Sequence, residues 1–167
     1  TIFSNVEIDE ETGDMLDAVI TASKYTDDTA NKKLKEKTVT VLQDRKPVSS
    51  KNWKYRVSDN TLREYTETVF TNVEIDEETG DMLDAEITAS KYTDDTASKK
   101  LKEKTITVLQ DRKPQSSKNW KYRVTDGTLR EYTETFFTNV EIDEETGDML
   151  DAVITASKYT DDTAAKK

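Results

Sequence analysis

The stretch LREYTETVFTNVEID, residues 62–76, decides the fold. It contains no glycine or proline, and five of its bulky or β-branched side chains share one parity. Those five are Tyr65, Val69, Thr71, Val73 and Ile75. Alternation of this kind is typical of a β-strand, and no turn signal interrupts it. The stretch therefore predicts one long strand, or two collinear strands.

The end of this stretch opens a longer motif, NVEIDEETGDMLDA, which the chain spells three times. It occupies residues 5–18, 72–85 and 139–152. In the first occurrence Val6 and Ile8 alternate with acidic residues, and apolar residues recur at every second position after Leu16. Between these runs, Gly13 can adopt the positive φ of a type I turn with a G1 bulge. The motif predicts a β-hairpin, entered by a strand that leads out of the preceding copy.

The chain is a tandem repeat with a period of 67 residues. Residues 1–67 and 68–134 align without gaps and differ at eight positions, so 59 of 67 match. Residues 135–167 repeat the first 33 positions again. We predict repeat 1 at 1–67, repeat 2 at 68–134 and the first half of repeat 3 at 135–167. The alternative phase has units at 34–100 and 101–167 after a leading half-unit at 1–33, and it keeps the predicted long strand within one unit.

The rest of each copy mixes turn and strand signals. YTDDTANKKLKEK, residues 25–37, predicts a short helix or helical turn capped by Asp27 or Asp28, with lysines towards its C-terminal end. Residues 37–44 have a strand pattern, and RKPVSSK, residues 45–51, predicts a loop because proline cannot donate to a ladder.

A second hairpin is predicted over residues 52–70. Trp53, Tyr55 and Val57 share one face of its first strand. Its turn contains Asn60, where the second copy has Gly127, and both residue types tolerate a left-handed backbone. The whole chain is thus predicted to be mainly β. We expect tandem small antiparallel modules of about four or five strands, with two hairpins and one short helix or helical turn each, in an elongated array.

Charge and composition exclude several classes of function. The net charge is −10 at pH 7, with a pI near 4.7, so nucleic acid is a poor partner. No run of 18 apolar residues is present, which argues against insertion into a membrane. The chain has no Cys and no His, so the thiol nucleophile and the commonest general base are missing. The sequence predicts a protein that is not an enzyme and that needs no cofactor.

Charge also alternates along each copy. Residues 1–33 carry eight acids and three lysines, giving −5, whereas residues 34–67 carry eight basic residues and five acids, giving +3. The acidic half of one copy can therefore face the basic half of its neighbour. Solvation of two separate faces explains the same pattern, since surface ion pairs contribute little individually.

Two sets of residues are candidates for binding. Alternating acids beside a glycine suggest a weak site for a divalent cation at Asp9, Glu11 and Asp14. Their spacing fits the EF-hand pattern poorly, and a hairpin turn explains them better. Aromatic residues at alternate positions can form stacking platforms for sugars, although a strand face that packs inward needs the same spacing. These aromatic residues are Trp53, Tyr55, Trp120 and Tyr122.

In its period, near-identity of copies, acidity and lack of cysteine, the chain resembles the tandem-repeat stalks of bacterial cell-surface adhesins. Those stalks are strings of β modules that hold a binding head away from the envelope. The resemblance implies a non-enzymatic structural repeat of an elongated extracellular or cell-surface stalk or fibre. Its partners would be neighbouring repeats of the same chain and like chains in a fibre. The alternative is a multivalent binding module, either a glycan-binding repeat or a phage-fibre segment, in which tandem copies raise avidity.

Overall fold

A computed structural model describes residues 1–27, 29–143, 146 and 148–161. Within these residues the protein consists of ten β-strands and has no helix. The strand order in the sheet follows the chain order from β1 to β10, and the sheet is open. The strands are β1 Ile2–Ile8, β2 Met15–Tyr25, β3 Leu34–Gln43, β4 Lys46–Tyr55, β5 Leu62–Ile75, β6 Met82–Tyr92, β7 Leu101–Gln110, β8 Lys113–Tyr122, β9 Leu129–Ile142 and β10 Met149–Tyr159.

The chain divides into two compact units. The first unit comprises residues 1–69 and 90–100, and therefore β1 to β4 with the first part of β5 and the end of β6. The second comprises residues 70–89 and 101–167, with the remainder of β5 and β6 and all of β7 to β10. The division is discontinuous in sequence, and the two possible phases of the sequence repeat remain predictions.

Both predicted hairpins are confirmed. In the turn between β1 and β2, Gly13 has a φ of 79°, and its N–H donates to the Asp9 carbonyl at 2.8 Å. In the turn between β4 and β5, Asn60 has a φ of 58°, and Gly127 in the second copy has a φ of 73°. The exchange of asparagine for glycine thus marks a left-handed turn position.

The predicted long strand is confirmed as one element, because β5 and β9 each span 14 residues. The prediction of a single side-chain parity along it is wrong. Pairing of β9 with β10 shifts between Thr138 and Glu141, and Asn139 there has a φ of 51°. Asn72 has the same conformation in β5, with a φ of 52°. Such a bulge inserts one residue and reverses the alternation beyond it.

The predicted helix after β2 is wrong. Instead, Thr26 and Lys33 close a tight connection in which the Thr26 N–H donates to the Lys33 carbonyl at 3.0 Å. Asp27 does bond to the backbone, since its Oδ1 accepts from the Thr29 N–H at 2.9 Å. Short polar side chains that bond locally compete with helix formation, and β3 begins at Leu34. The alternative cap, Asp28, lies outside the described residues.

The predicted loop at residues 45–51 is also wrong, because β4 begins at Lys46. The connection from β3 is only the pair Asp44 and Arg45, whose φ values are 49° and 67°. Two positive φ values define the type I′ turn of a two-residue hairpin. The Arg45 N–H donates to the Leu16 carbonyl at 2.7 Å, and this bond to β2 supports the strained turn. Pro47 is accommodated where the register shifts next to Leu42.

Burial is sparse in both units. The buried apolar residues have exposed fractions between 2% and 8%, and no side chain in the described part falls below 2%. They are Ala18, Tyr65, Ala85, Tyr132 and Val140. Because the strands belong to one sheet, long charged and aromatic side chains cover its faces with their stems and rings. The tyrosines are the largest of these buried residues.

Candidate functional site

A row of three aromatic rings crosses the first unit. Trp53 on β4 and Tyr65 on β5 are directly paired in the register, and their ring centroids lie 5.2 Å apart. Tyr92 at the end of β6 continues the row, with its centroid 6.1 Å from that of Tyr65. Cross-strand aromatic pairs of this kind stabilise sheets beyond the area they bury. We call these three residues the aromatic row.

Charged side chains pack against the rings of the aromatic row. Lys99 Nζ lies 4.5 Å from the Tyr92 ring centroid and 5.3 Å from that of Tyr65. The same ammonium group forms an ion pair of 2.6 Å with Glu67. Glu67 also accepts a hydrogen bond of 2.8 Å from the Tyr65 hydroxyl. The lysine therefore covers the rings while its charge is balanced by an acid on the same face.

The indole of Trp53 is held at its polar edge. Its Nε1–H donates to Asp95 Oδ2 at 2.9 Å, and Lys37 Nζ lies 5.4 Å from the ring centroid. Asp95 belongs to the connection that follows β6, so the aromatic row joins β4, β5 and that connection. This contact links residues that are 42 positions apart.

The pKa values of the cluster follow from this packing. Burial, with the hydrogen bond to Glu67 and its negative charge, raises the pKa of Tyr65 above its usual value. Burial alone would raise the pKa of Glu67, but the hydrogen bonds from Lys99 and Tyr65 outweigh it and lower that pKa. The phenol stays neutral and the carboxylate stays ionised near neutral pH, which suits a structural network.

The second unit contains an equivalent row. The ring centroids of Trp120 and Tyr132 lie 5.2 Å apart, and those of Tyr132 and Tyr159 lie 6.0 Å apart. The Tyr132 hydroxyl donates to Glu134 at 2.6 Å, and Lys104 Nζ lies 5.8 Å from the Trp120 centroid. Repetition of the sequence thus repeats the packing in each unit.

The predicted sugar-binding residues fall into two environments. Trp53 and Trp120 are half-buried in their aromatic rows. Tyr55 and Tyr122 are also half-buried, but each follows a register shift at the end of its strand. Burial, followed by the negative charge of Asp95, raises the pKa of Tyr55. The pattern of alternate aromatic residues therefore does not produce one continuous platform.

Two of the three predicted cation-binding acids, Asp9 and Asp14, bond within the first hairpin or to the neighbouring turn, and Glu11 contributes its backbone N–H. Asp9 Oδ1 accepts from the backbone N–H groups of Glu11 and Thr12 at 2.8 and 3.0 Å, and these bonds lower the pKa of Asp9. Asp14 forms an ion pair of 3.2 Å with Arg45. No group of three carboxylates among the described residues converges as a metal site would. Asp9 therefore shapes its own turn, and Asp14 anchors the neighbouring one.

A row of alternating positive and negative side chains crosses β2 to β5, and we call it the charge ladder. In the register Lys24 lies opposite Glu36, Glu36 opposite Lys54, and Lys54 opposite Glu64. Glu64 forms ion pairs with Lys54 at 3.2 Å and with Lys91 at 2.8 Å. The hydrogen bond from Lys91 is the largest cause of a lowered pKa at Glu64. Opposite charges at directly paired positions stabilise the sheet.

An open cavity of 440 Å³ lies beside the charge ladder. Sequence reasoning did not find it, because its residues converge only once the register and its shifts are known. The same holds for Tyr92, Asp95 and Lys99 in the aromatic row. The cavity is lined by Lys24, Lys35, Glu36, Lys54, Tyr55, Arg56, Val57 and Arg63.

No protein-family model, characterised protein or solved structure matches the chain. Among the residues that the structure describes, no helix is long and apolar enough to cross a membrane. The features that bear on function are therefore the repeat, the strand pairing, the aromatic row and the charge ladder.

Proposed function

We propose that the chain is a segment of an elongated, non-enzymatic structural stalk or fibre built by repetition of one β module. The observation that carries this proposal is the strand at the junction between sequence copies. β9 pairs with β8 from Leu129 to Phe136 and with β10 from Tyr132 to Ile142. It therefore crosses the junction after residue 134 as a hydrogen-bonded strand, where a flexible linker would leave neighbouring modules free to reorient.

The sparse core supports a role for tandem copies. A module of 67 residues buries a low fraction of its surface and is marginal alone. In repeat arrays, stability is the sum of unit and interface terms. A copy whose edge strand pairs with the next copy gains hydrogen bonds and cross-strand contacts that an isolated copy lacks. Copy number then sets both length and stability.

We place this stalk outside the cell or on the cell surface, where its partners are neighbouring repeats and like chains. The acidity, the lack of cysteine and the near-identity of the copies support this location by resemblance to adhesin stalks. The non-enzymatic role is supported by the lack of His and Cys in the sequence. In the first hairpin, Asp9 bonds to backbone N–H groups and Asp14 forms an ion pair with Arg45.

An insertion at the junction tests the proposal. We expect a Gly-Ser-Gly-Ser insertion between Val69 and Phe70, inside β5, to separate the copies, because it breaks the strand that both share. Thermal unfolding followed by circular dichroism would then lose its cooperativity, and the unfolding would resolve into separate transitions.

The matched control places the same insertion between Glu78 and Thr79, in the turn that follows β5. Loop tips tolerate insertions well, so this variant should unfold like the parent chain. Equal behaviour of the two variants would contradict a structural role for the junction strand.

A further inference from the structure

We propose that the open cavity beside the charge ladder binds an anionic saccharide, meaning a sugar that carries sulfate or carboxylate groups. This binding site is additional to the structural role proposed above. Its volume of 440 Å³ lies in the range of ligand pockets, roughly 300–1,000 Å³. The site lies within the first unit, where β2, β3, β4 and β5 begin or end.

The cavity has a surplus of positive charge. Within the charge ladder, Lys24 and Lys54 face Glu36 and Glu64, so the ladder is neutral in itself. Among the residues that the structure describes, Glu36 is the one acid that lines the cavity, and it accepts a hydrogen bond of 2.9 Å from Asn52. Two lysines and one glutamate of the ladder line the cavity, and most of the surplus comes from cations outside the ladder.

Three cations outside the ladder line the cavity, namely Lys35, Arg56 and Arg63. All three side chains are exposed, and none forms an ion pair within the described residues. Asp59, whose pKa is lowered first by hydrogen bonds from Thr61 and to a smaller extent by the charge of Arg56, lies beyond ion-pair distance. By contrast, Lys54, Lys91 and Lys99 are each held by a glutamate. In a chain with a net charge of −10, cations that form no close ion pair make this cavity a local site of opposite sign.

Register shifts explain why these cations converge. Lys24 pairs with Glu36 and the next residue of β2 pairs with Leu34, so Lys35 is an inserted residue. Arg63 is inserted in the same way, since Lys54 pairs with Glu64 and Tyr55 with Leu62. Inserted residues depart from the normal alternation of a strand. Lys35 and Arg63 therefore add positive charge beside the charge ladder, whose lysines and glutamates already lie opposite one another.

The remaining lining favours a saccharide over a small inorganic anion. Tyr55 and Val57 provide an aromatic and an aliphatic surface next to the cations. A guanidinium group binds sulfate or carboxylate through two parallel hydrogen bonds, and a sugar ring can lie on the apolar surface at the same time. The net charge of −10 disfavours a long polyanion such as nucleic acid. A short ligand responds mainly to the local charges, because salt screens beyond about 8 Å at physiological ionic strength.

Binding measurements on the full chain test the proposal with four probes. The probes are a heparin-derived tetrasaccharide, tetragalacturonic acid, neutral cellotetraose, and a peptide with the sequence EIDEETGDM from the acidic hairpin. We expect one or both anionic sugars to bind at least about tenfold more tightly than cellotetraose and to weaken with added salt, because charged contacts are screened. The sulfated and carboxylated sugars distinguish the two sources of negative charge.

Two variants of equal net charge give the control. The first replaces the cavity arginines and their counterparts in the second copy with glutamine, at Arg56, Arg63, Arg123 and Arg130. The second replaces four lysines outside the cavity with glutamine, at Lys46, Lys51, Lys113 and Lys118. The first should lose at least about tenfold in affinity, the factor expected for charge-assisted hydrogen bonds. The second should change by less than about threefold.

Three results would overturn the proposal. The first is no preference for anionic sugars over cellotetraose, and the second is an equal loss in both variants. The third is tighter binding of the acidic peptide than of either anionic sugar, which would identify the cavity as a docking site for protein. Unchanged circular dichroism spectra of both variants would show that these results concern binding and not folding.

Discussion

Replacing Tyr65 with alanine should lower the free energy of unfolding of the first unit by about 3–4 kcal/mol, the range for truncation of a buried aromatic side chain. Tyr65 is 3% exposed and is the central ring of the aromatic row. The variant loses contacts with Trp53 and Tyr92 and leaves Glu67 without the phenol hydroxyl. In so thin a core, few side chains can fill the resulting space.

Urea denaturation followed by tryptophan fluorescence measures this effect. In a Trp120→Phe background the signal comes from Trp53 alone, which contacts Tyr65 directly. Tyr25→Ala is the matched control because that ring is 41% exposed, and its loss should cost less than about 1.5 kcal/mol. Tyr65→Phe should cost about 1 kcal/mol, the net value of one hydrogen bond. Equal losses in the two alanine variants would show that the aromatic row does not act as a core.

The chain should also unfold in acid, between about pH 4.5 and about pH 2. Ion pairs and hydrogen bonds lower the pKa of several carboxyl groups in the folded state, and hydrogen bonds from Lys158 and then Lys121 take that of Glu131 to about 2. A folded pKa below the unfolded value stabilises the protein above the unfolded pKa. That stability is lost as the pH falls through the folded value. Other groups with lowered pKa values include Asp9, Asp27, Asp59, Glu64, Glu67, Asp76, Asp94 and Asp126.

The net charge of the chain also destabilises the folded state in acid. Once the 35 Asp and Glu side chains are protonated, the 25 Lys and Arg side chains have no opposing charge. Self-repulsion then destabilises the folded state. Circular dichroism can measure the melting temperature in steps from pH 7 downwards. We expect the melting temperature to fall most steeply between about pH 4.5 and about pH 2.

Glu131→Gln is the internal control for the acid effect. Its side chain can no longer form ion pairs with Lys121 and Lys158, which now lie at 2.9 and 2.7 Å. The variant should be less stable at neutral pH, and its melting temperature should fall less steeply below about pH 4.5. A melting temperature that is constant down to about pH 2, or the same slope in both proteins, would contradict this electrostatic account.

Local backbone chemistry made part of the fold predictable. Gly13 and the exchange of Asn60 for Gly127 mark left-handed positions, because few other residues adopt a positive φ at low cost. The unbroken strand pattern of residues 62–76 predicted one long strand or two collinear strands, and β5 is a single strand. These features depend on neighbouring residues in the sequence, so a single copy contains the necessary information.

Other features depend on contacts between strands and could not be read from the sequence. Asp44 and Arg45 lack the Asn-Gly signature of a type I′ turn, and their conformation is supported by a bond to Leu16 on another strand. The bulge at Asn72 interrupts an alternation that appears regular in sequence. The helix predicted around Asp27 failed because its carboxylate satisfies a local turn instead.

The candidate sites were predictable only in part, for the same reason. Alternate spacing identified Trp53 and Tyr55 as notable residues, but not their separate environments. Lys99 contacts the aromatic row although it lies 32 residues after its ion-pair partner Glu67 in the sequence. No pattern of neighbouring residues indicates this contact. The cations of the cavity converge through two register shifts, and a regular strand pattern would have placed Lys35 and Arg63 elsewhere.

We propose that near-identical copies extend one sheet, so that copy number sets the length of the protein. Small-angle X-ray scattering on arrays of one to about five copies tests it most directly. Each copy adds four strands in chain order, and at about 4.8 Å per strand this adds about 19 Å. We predict that the maximum dimension grows by this constant increment with each copy. A radius of gyration that instead grows as roughly the 0.38 power of residue number, as in compact domains, would contradict the account.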